Sequence, residues 1–426
     1  MVQLTQMQTE FDLSPTLKAN ELVNEIRARG QEILHMGCGE SPFPVPQRLQ
    51  KALGENADKK SYVATGGLPA LCEAAHSYYC QKLNLDPSKF DAFIAPGSEL
   101  ILYTLQMAVE GDLILPVPSW VSYAPQARML GDTVISLPTQ LSDKGLEIDT
   151  STFQSVIKKA RKNGHNPRKI ILNYPSNPAG LTIPTDNLNQ IAQICRDEDI
   201  MIISDEIYAF VHFENDHTSI AEFAPDITVV TTALSKHLSL GGWRLGVSLV
   251  PKNIDGLHAR LCTIASETWS CVAEPVQHAA IEAFQDHPDI ENHIRDCTAI
   301  HAFVNREIAK GLQAAGIDVN TPQGGFYHYP CFENQRNSLA AIGINTSPDL
   351  AEHLINEYGL VSLPSTAFGD KPESLYLRLS GCDYDGASVL KAYQEGHPLN
   401  IDFLKNYAPR IIKEIEVFRT LMSKLG

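Results

Sequence analysis

The sequence predicts an α/β protein in two parts: a large domain on a mostly parallel, seven-stranded sheet flanked by helices, and a smaller α+β domain. Three observations predict it. Between about Asp91 and Pro251, seven short apolar runs alternate with amphipathic ones, as expected of strands buried on both faces and joined by helical crossovers. Beyond about Asp289 a long helical period is followed by short alternating segments. The 426 residues also exceed one ordinary domain. The expected divisions are an N-terminal arm with part of the small domain over 1–50, the large domain over 51–288 and the small domain over 289–426.

Phe93–Ala95 is the first expected strand and leads into a helix over Ser98–Val109. Leu113–Leu115 and Thr133–Leu137 are the next strands. Asp149 is placed to N-cap a helix that reaches Asn163. Lys169–Leu172 reads as a buried strand, Thr185–Asp197 as a helix, and Met201–Ser204, Ile227–Thr231 and Leu245–Val250 as further strands. In the second part, Ile290–Ala314 carries one long helical pattern, and Phe326–Tyr329 and Tyr376–Leu379 alternate as strands do. Ser347 is expected to cap a helix that opens with Pro348 and closes at Gly359. From about Asn400 the tail reads as a single amphipathic helix.

Composition narrows the function. The net charge of -16, from 34 basic and 50 acidic residues, disfavours nucleic acid and anionic membrane surfaces as partners. The nine cysteines are odd in number and include no C-x-x-C pair, so reduced thiols are expected rather than a disulfide framework or zinc knuckle. Residues 1–20 lack the basic and apolar regions of a secretory leader, and no apolar stretch is long enough to span a bilayer. A cytoplasmic protein is expected. The 14 histidines show no H-E-x-x-H spacing, so no metal site is expected, and no G-x-G-x-x-G follows an early strand, which disfavours a dinucleotide enzyme.

In open sheets of this kind, ligands sit beyond the carboxyl ends of the strands. Four segments place polar residues there. In Ala233-Leu234-Ser235-Lys236-His237, a lysine follows a buried strand, where partial desolvation lowers its pKa and makes the amine nucleophilic. Gly241-Gly242-Trp243-Arg244-Leu245-Gly246, in the same segment, adds an arginine whose forked donors suit a phosphate. Ile203-Ser204-Asp205-Glu206-Ile207-Tyr208 puts a carboxylate where it can pair with a pyridinium nitrogen, although alone it also reads as a helix N-cap. Asn173-Tyr174-Pro175-Ser176-Asn177-Pro178-Ala179-Gly180 is a stiff turn that projects the Asn177 amide. Ala95-Pro96-Gly97-Ser98-Glu99 joins a strand to a helix start, where small residues let backbone N–H groups and the Ser98 hydroxyl approach a phosphate. Each segment has an ordinary structural reading; the combination of lysine, carboxylate, amide and two phosphate-binding elements has none.

From about Met36 to Cys382 the chain resembles the class I/II aminotransferases, which share the fold of aspartate aminotransferase. The resemblance implies pyridoxal 5'-phosphate as cofactor, attached through Lys236, which also shuttles the α-proton. It implies that Asp205 pairs with the ring nitrogen, that Asn177 and Tyr208 contact the phenolic oxygen, and that Gly97, Ser98, Glu99, Ser235 and Arg244 surround the phosphate. Pro118-Ser119-Trp120 looks like the segment whose aromatic stacks on the ring, here Trp120. Ser61-Tyr62-Val63 looks like the segment whose tyrosine reaches the neighbouring subunit's phosphate, which implies a homodimer with shared active sites. Met36-Gly37-Cys38-Gly39 resembles an N-terminal strand near the substrate carboxylate, through Gly39, and Arg378 in Leu377-Arg378-Leu379-Ser380 matches the arginine that grips that carboxylate. Trp120 and Asn177 are expected to touch substrate as well.

The implied activity is transfer of an amino group from an L-amino acid to a 2-oxo acid. A lyase, cyclase or oxidase using the same cofactor on the same fold is the alternative. The sequence departs from the family in two places. Glu99 stands where aspartate-preferring relatives carry a lysine, so neutral or cationic donors are expected to be favoured over acidic ones. Cys72 replaces a common arginine, with an effect expected only at the surface.

Overall fold

A computed structural model describes residues 13–425. Residues 1–12, where most of the stretch searched for a leader lies, and residue 426 are outside the described residues. The central sheet has seven strands: β1 (Phe90–Ala95), β2 (Asp112–Val117), β3 (Val134–Pro138), β4 (Pro167–Asn173), β5 (Met201–Asp205), β6 (Thr228–Ala233) and β7 (Gly246–Pro251). Their spatial order is β1-β7-β6-β5-β4-β2-β3. β7 runs antiparallel to both of its neighbours, and every other pairing is parallel.

Alternating side chains explain why these runs are apolar throughout. Ile114, Ile170, Leu172 and Ile202 pack on one face against Phe153 and Ile157 of a helix over Thr150–Lys162 and Leu188 and Ile191 of another over Thr185–Asp197. Their neighbours Leu113, Leu115, Ile171 and Ile203 point to the opposite face, against Ile101, Leu102 and Leu105 of a helix over Ser98–Ala108. A strand covered on both sides has no polar face to show in its sequence. Asp149 caps the Thr150–Lys162 helix as expected, its carboxylate accepting from Thr152 N.

The smaller part is built around a three-stranded antiparallel sheet in which Leu377–Ser380 lies between Tyr327–His328 and Leu363–Pro364. A parallel pair, Leu34–His35 with Leu360–Val361, joins the N-terminal segment to it. Several expectations are corrected here. Only Tyr327–His328 of Phe326–Tyr329 pairs as strand, and the N-terminal strand is Leu34–His35 rather than the Met36–Pro42 segment. The cap of the Ser347–Tyr358 helix is Thr346, whose hydroxyl accepts from Asp349 N while the Asp349 carboxylate accepts from Thr346 N, a closed capping box. The tail forms two helices, Ile401–Tyr407 and Pro409–Leu425, because Pro409 has no N–H to continue the first and is well placed to start the second. Cys72 is half-buried, not superficial: its thiol lies 3.4 Å from the Gly66 carbonyl.

The first and last helices of the described chain are α1 (Pro15–Ala28) and α2 (Pro409–Leu425). α2 packs into the core of the smaller part through Ile411, Ile415, Phe418 and Leu421. All nine cysteines are free. Among the described residues, no helix is long and apolar enough to cross a membrane.

Candidate active site

The carboxyl ends of β1, β4, β5 and β6 meet at one edge of the sheet, where a cavity of about 360 Å³ opens toward the smaller part. Ser98, Glu99, Trp120, Asn177, Asp205, Tyr208, Ser235, Lys236, Arg244, Gly39 and Arg378 all line it. Sequence reasoning had named each of these from separate segments.

β6 ends at Ala233, and the loop to β7 carries both Lys236 and Arg244. The Lys236 amine donates to the Gly39 carbonyl at 2.6 Å and sits 5.6 and 5.7 Å from the Tyr208 and Phe326 ring centres. Burial lowers its pKa, against the opposing pull of Cys38, Cys382 and Glu40. Arg244 adopts the left-handed conformation, with φ 53°, which turns its guanidinium back toward the start of the Ser98–Ala108 helix. Gly97 lies outside the cavity lining but is required beside it. Its φ is 89°, and a Cβ there would collide with the Arg244 guanidinium. The helix N-terminus, the Ser98 and Ser235 hydroxyls and Arg244 thus converge on one corner whose donors could hold an anion.

Asp205 ends β5 and is 4% exposed. The Tyr123 hydroxyl donates to it at 2.5 Å and Thr231 at 3.4 Å. Burial pushes its carboxyl up to about 6, although Tyr123, the Ile207 N–H, Thr231 and Lys236 all pull the other way. Asn173, opposite Asp205 in the β4–β5 register, donates to the Asp205 carbonyl and accepts from Asn177 N at 2.7 Å. Asn177 is 6% exposed, and its amide oxygen has no hydrogen-bond partner among the described residues. The Tyr208 and Tyr327 hydroxyls are 2.9 Å apart.

Arg378 is 1% exposed on the middle strand of the smaller sheet. One terminal nitrogen donates to the Gly37 carbonyl at 2.5 Å, and Nε is buried with no partner among the described residues. The Tyr327 and Phe368 rings flank the guanidinium at 4.8 and 5.5 Å. Buried charge without a counter-ion is costly, so this guanidinium could take an anion from the cavity.

Tyr62 is not brought to this cavity within one chain; it is 91% exposed. Sequence reasoning missed Tyr123, Asn173 and Tyr327, and also the opening of α1, where Ser14, Thr16 and Asn20 line the cavity. Tyr123 had a signal, since it follows Trp120 in the same segment; the rings pack edge to face at 5.2 Å. Pro15 signalled the start of α1 but not where that helix lies.

The family model for aminotransferase class I and II matches residues 31–386. The aspartate aminotransferase of Geobacillus stearothermophilus is 31% identical over 369 residues, covering 84% of this chain and 89% of that protein. A probable aspartate/prephenate aminotransferase of Aquifex aeolicus is 28% identical, covering 86% of this chain and 91% of the relative. In three dimensions, the aspartate aminotransferase of Thermus thermophilus, solved with maleate, superposes with a TM-score of 0.82 over 98% of this chain and 100% of that one, at 22% identity, a likeness of fold. The match spans the sheet edge with its lysine, its carboxylate and its buried arginine, and on it the chain belongs to the class I and II aminotransferases and is a pyridoxal-phosphate-dependent transaminase.

Proposed function

We propose that this enzyme moves the amino group of a neutral or cationic L-amino acid to a 2-oxo acid, with Lys236 as its proton carrier and Arg378 as its carboxylate clamp. The observation that carries the reading is the buried, half-satisfied Arg378 in the same cavity as an amine of lowered pKa.

The residues present fit the cofactor. The corner formed by the helix start, Ser98, Ser235 and Arg244 suits its phosphate, with Gly97 leaving room for the arginine. The Asp205 carboxylate suits the ring nitrogen, Asn177 and Tyr208 the phenolic oxygen, and Trp120 the ring face. When bound, the cofactor accepts the electron pair left at the amino acid's Cα after proton loss. The protein's own part is to hold and to move a proton. Arg378 takes the α-carboxylate in its fork, which fixes Cα relative to Lys236. The Lys236 amine, kept less basic by burial, removes the α-proton. Asp205, once paired with a cationic ring nitrogen, stays ionised and keeps that nitrogen protonated.

The donor preference rests on Glu99 and Glu40. Both carboxylates line the cavity, both are exposed, and neither has a hydrogen-bond or ion-pair partner among the described residues. A distal carboxylate on the donor would be repelled there, and an apolar or positively charged side chain would not. The printed names of the relatives favour aspartate for those proteins, which makes the test decisive. Single L-amino acids are added without oxo acid while the cofactor's absorbance is followed. Conversion with neutral or basic donors at higher kcat/KM than with aspartate or glutamate is expected; the reverse order removes the donor reading. Product release without conversion of the cofactor would instead indicate a lyase, cyclase or oxidase. We further propose a homodimer in which Tyr62 reaches the partner's phosphate corner. Its segment is held by the neighbouring Ser61 N–H, which donates to Glu274 at 2.6 Å.

A further inference from the structure

Directly behind the cavity, on the opposite side of β5, lies a second polar cluster. Glu206 is 0% exposed, yet it is surrounded by donors. Ser219 and Ser204 hydroxyls donate to one carboxylate oxygen at 2.6 and 2.8 Å, and the other lies 2.9 Å from His217 Nε2. The Tyr174 hydroxyl completes the set, 3.4 Å from the first oxygen and 3.2 Å from Ser204 Oγ, while it accepts from Ile220 N at 2.8 Å. The His217 ring stacks on Tyr174 with centres 5.2 Å apart and planes 25° from parallel.

This cluster is one residue from the cavity on each of two strands. Asn173 and Asp205 are register partners, and in extended chain the next residues, Tyr174 and Glu206, face the other way. Tyr174 opens the turn that ends in Gly180 and carries Asn177. That turn has few bonds of its own: Ser176 N to Leu181 O and Gly180 N to Ser176 O, both 2.8 Å, and Asn177 N to Asn173 Oδ1. Its entry is fixed from behind by the Tyr174 side chain. A carboxylate sealed among four donors is a rigid anchor, because removing any one of them leaves a buried group unsatisfied.

We propose that Glu206 is a positioning residue for the reaction: through Tyr174 and His217 it fixes the Tyr174–Gly180 turn and so aims Asn177 into the cavity. The proposal rests on the proposed place of Asn177 at the cofactor, but its mechanical part stands apart from it. Glu206→Gln keeps the volume and replaces one acceptor with a donor that faces other donors. In the cofactor-free protein, amide hydrogen exchange at Ser176 and Gly180 is expected to accelerate, with the central strands unchanged. In the holoenzyme, the pH midpoint of the bound cofactor's absorbance change is expected to move, because Asn177 no longer meets the ring oxygen squarely. The kcat is expected to fall about ten- to a hundredfold while the donor KM stays within about twofold, since Arg378 is untouched.

A lowered melting temperature with unchanged turn exchange, absorbance midpoint and kcat would overturn the proposal. If Glu206→Gln does not fold, Tyr174→Phe, which removes one hydroxyl, decides: the same pattern in milder form supports the proposal, and wild-type values refute it. If the wild-type enzyme fails to convert its cofactor with any amino donor, the functional reading falls, and the exchange data still judge the role of Glu206.

Discussion

The sheet-edge cavity and the seam between the first and last described helices both bury charge, and they resolve it in opposite ways. At the cavity, Arg378 and Asn177 keep polar atoms buried and without partners among the described residues, and burial pushes the Asp205 carboxyl up to about 6. At the seam, Asp383 is saturated: it accepts from Arg27 of α1 at 3.2 Å, from Arg410 of α2 at 2.6 Å and from the His35 N–H at 2.7 Å, and its carboxyl is held below the usual range. Beside it, Glu414 is 0% exposed, and burial together with the neighbouring Asp383 charge holds its pKa well above the carboxylate range. Polar atoms left open beside a void leave room for a ligand; a carboxyl buried in a packed seam is silenced by a proton. Location relative to empty space, more than burial itself, separates the functional group from the structural one.

The largest effect that tests this contrast is at Lys236. Lys236→Ala is expected to lower turnover by about 10²–10⁴-fold or more and to end covalent attachment of the cofactor, read by mass after borohydride reduction. Normal turnover would remove the lysine from the site. Next, Arg378→Lys replaces a fork with a point charge and is expected to raise donor KM about ten- to a hundredfold with kcat little changed. An unaltered KM would move the carboxylate site elsewhere.

Asp205 gives a smaller, pH-dependent effect. Its carboxyl titrates at about 6 before the cofactor binds. Below that value it is neutral and offers no partner to a cationic ring nitrogen. Cofactor affinity is therefore expected to weaken by about fivefold as pH falls from 6 to 5, steepening toward about tenfold per pH unit below that. Equilibrium titration of the cofactor-free protein measures it, and Asp205→Asn should flatten that part of the profile. A slope in Asp205→Asn equal to wild type would place the titrating group elsewhere.

The smallest effect falls at the seam. A carboxyl raised on folding is protonated in the native state and ionised in the unfolded chain above its ordinary pKa. The unfolded state then binds fewer protons, so stability drains as pH rises from about 4.5 toward the native value. Glu414→Gln cannot ionise. Its melting temperature is expected to match wild type near pH 4.5 and to exceed it increasingly at neutral pH and above. A constant difference across pH would mean that Glu414 is charged in the native protein.

Much of this was legible in the sequence, for physical reasons that differ by element. The seven strands announced themselves because both faces are covered, leaving apolar runs such as Ile170–Leu172 and Met201–Ile203. The reversed direction of β7 left no trace, since a strand's side-chain period is the same either way. The cavity residues on β-strand ends were legible because a parallel sheet gathers its carboxyl ends at one edge. Tyr327 and the opening of α1 were not, because nothing local says which distant segment closes a cavity. Thr346 and Ser347 are both hydroxyl residues beside Pro348, so either could cap by type, and only the reach of Asp349 decides for Thr346. The break in the tail was present in Pro409, and the continuous apolar stripe concealed it.

The carboxylate shared by Arg27 and Arg410 also bears on how this enzyme can be handled. The Asn20 side chain, which lines the cavity, accepts through Oδ1 from His35 Nε2 at 2.9 Å, and the His35 backbone N–H donates to Asp383. A fusion partner or purification handle joined after α2 pulls on a helix that is three contacts from the cavity, so a protein engineer should expect linker length there to register in substrate affinity as well as in yield.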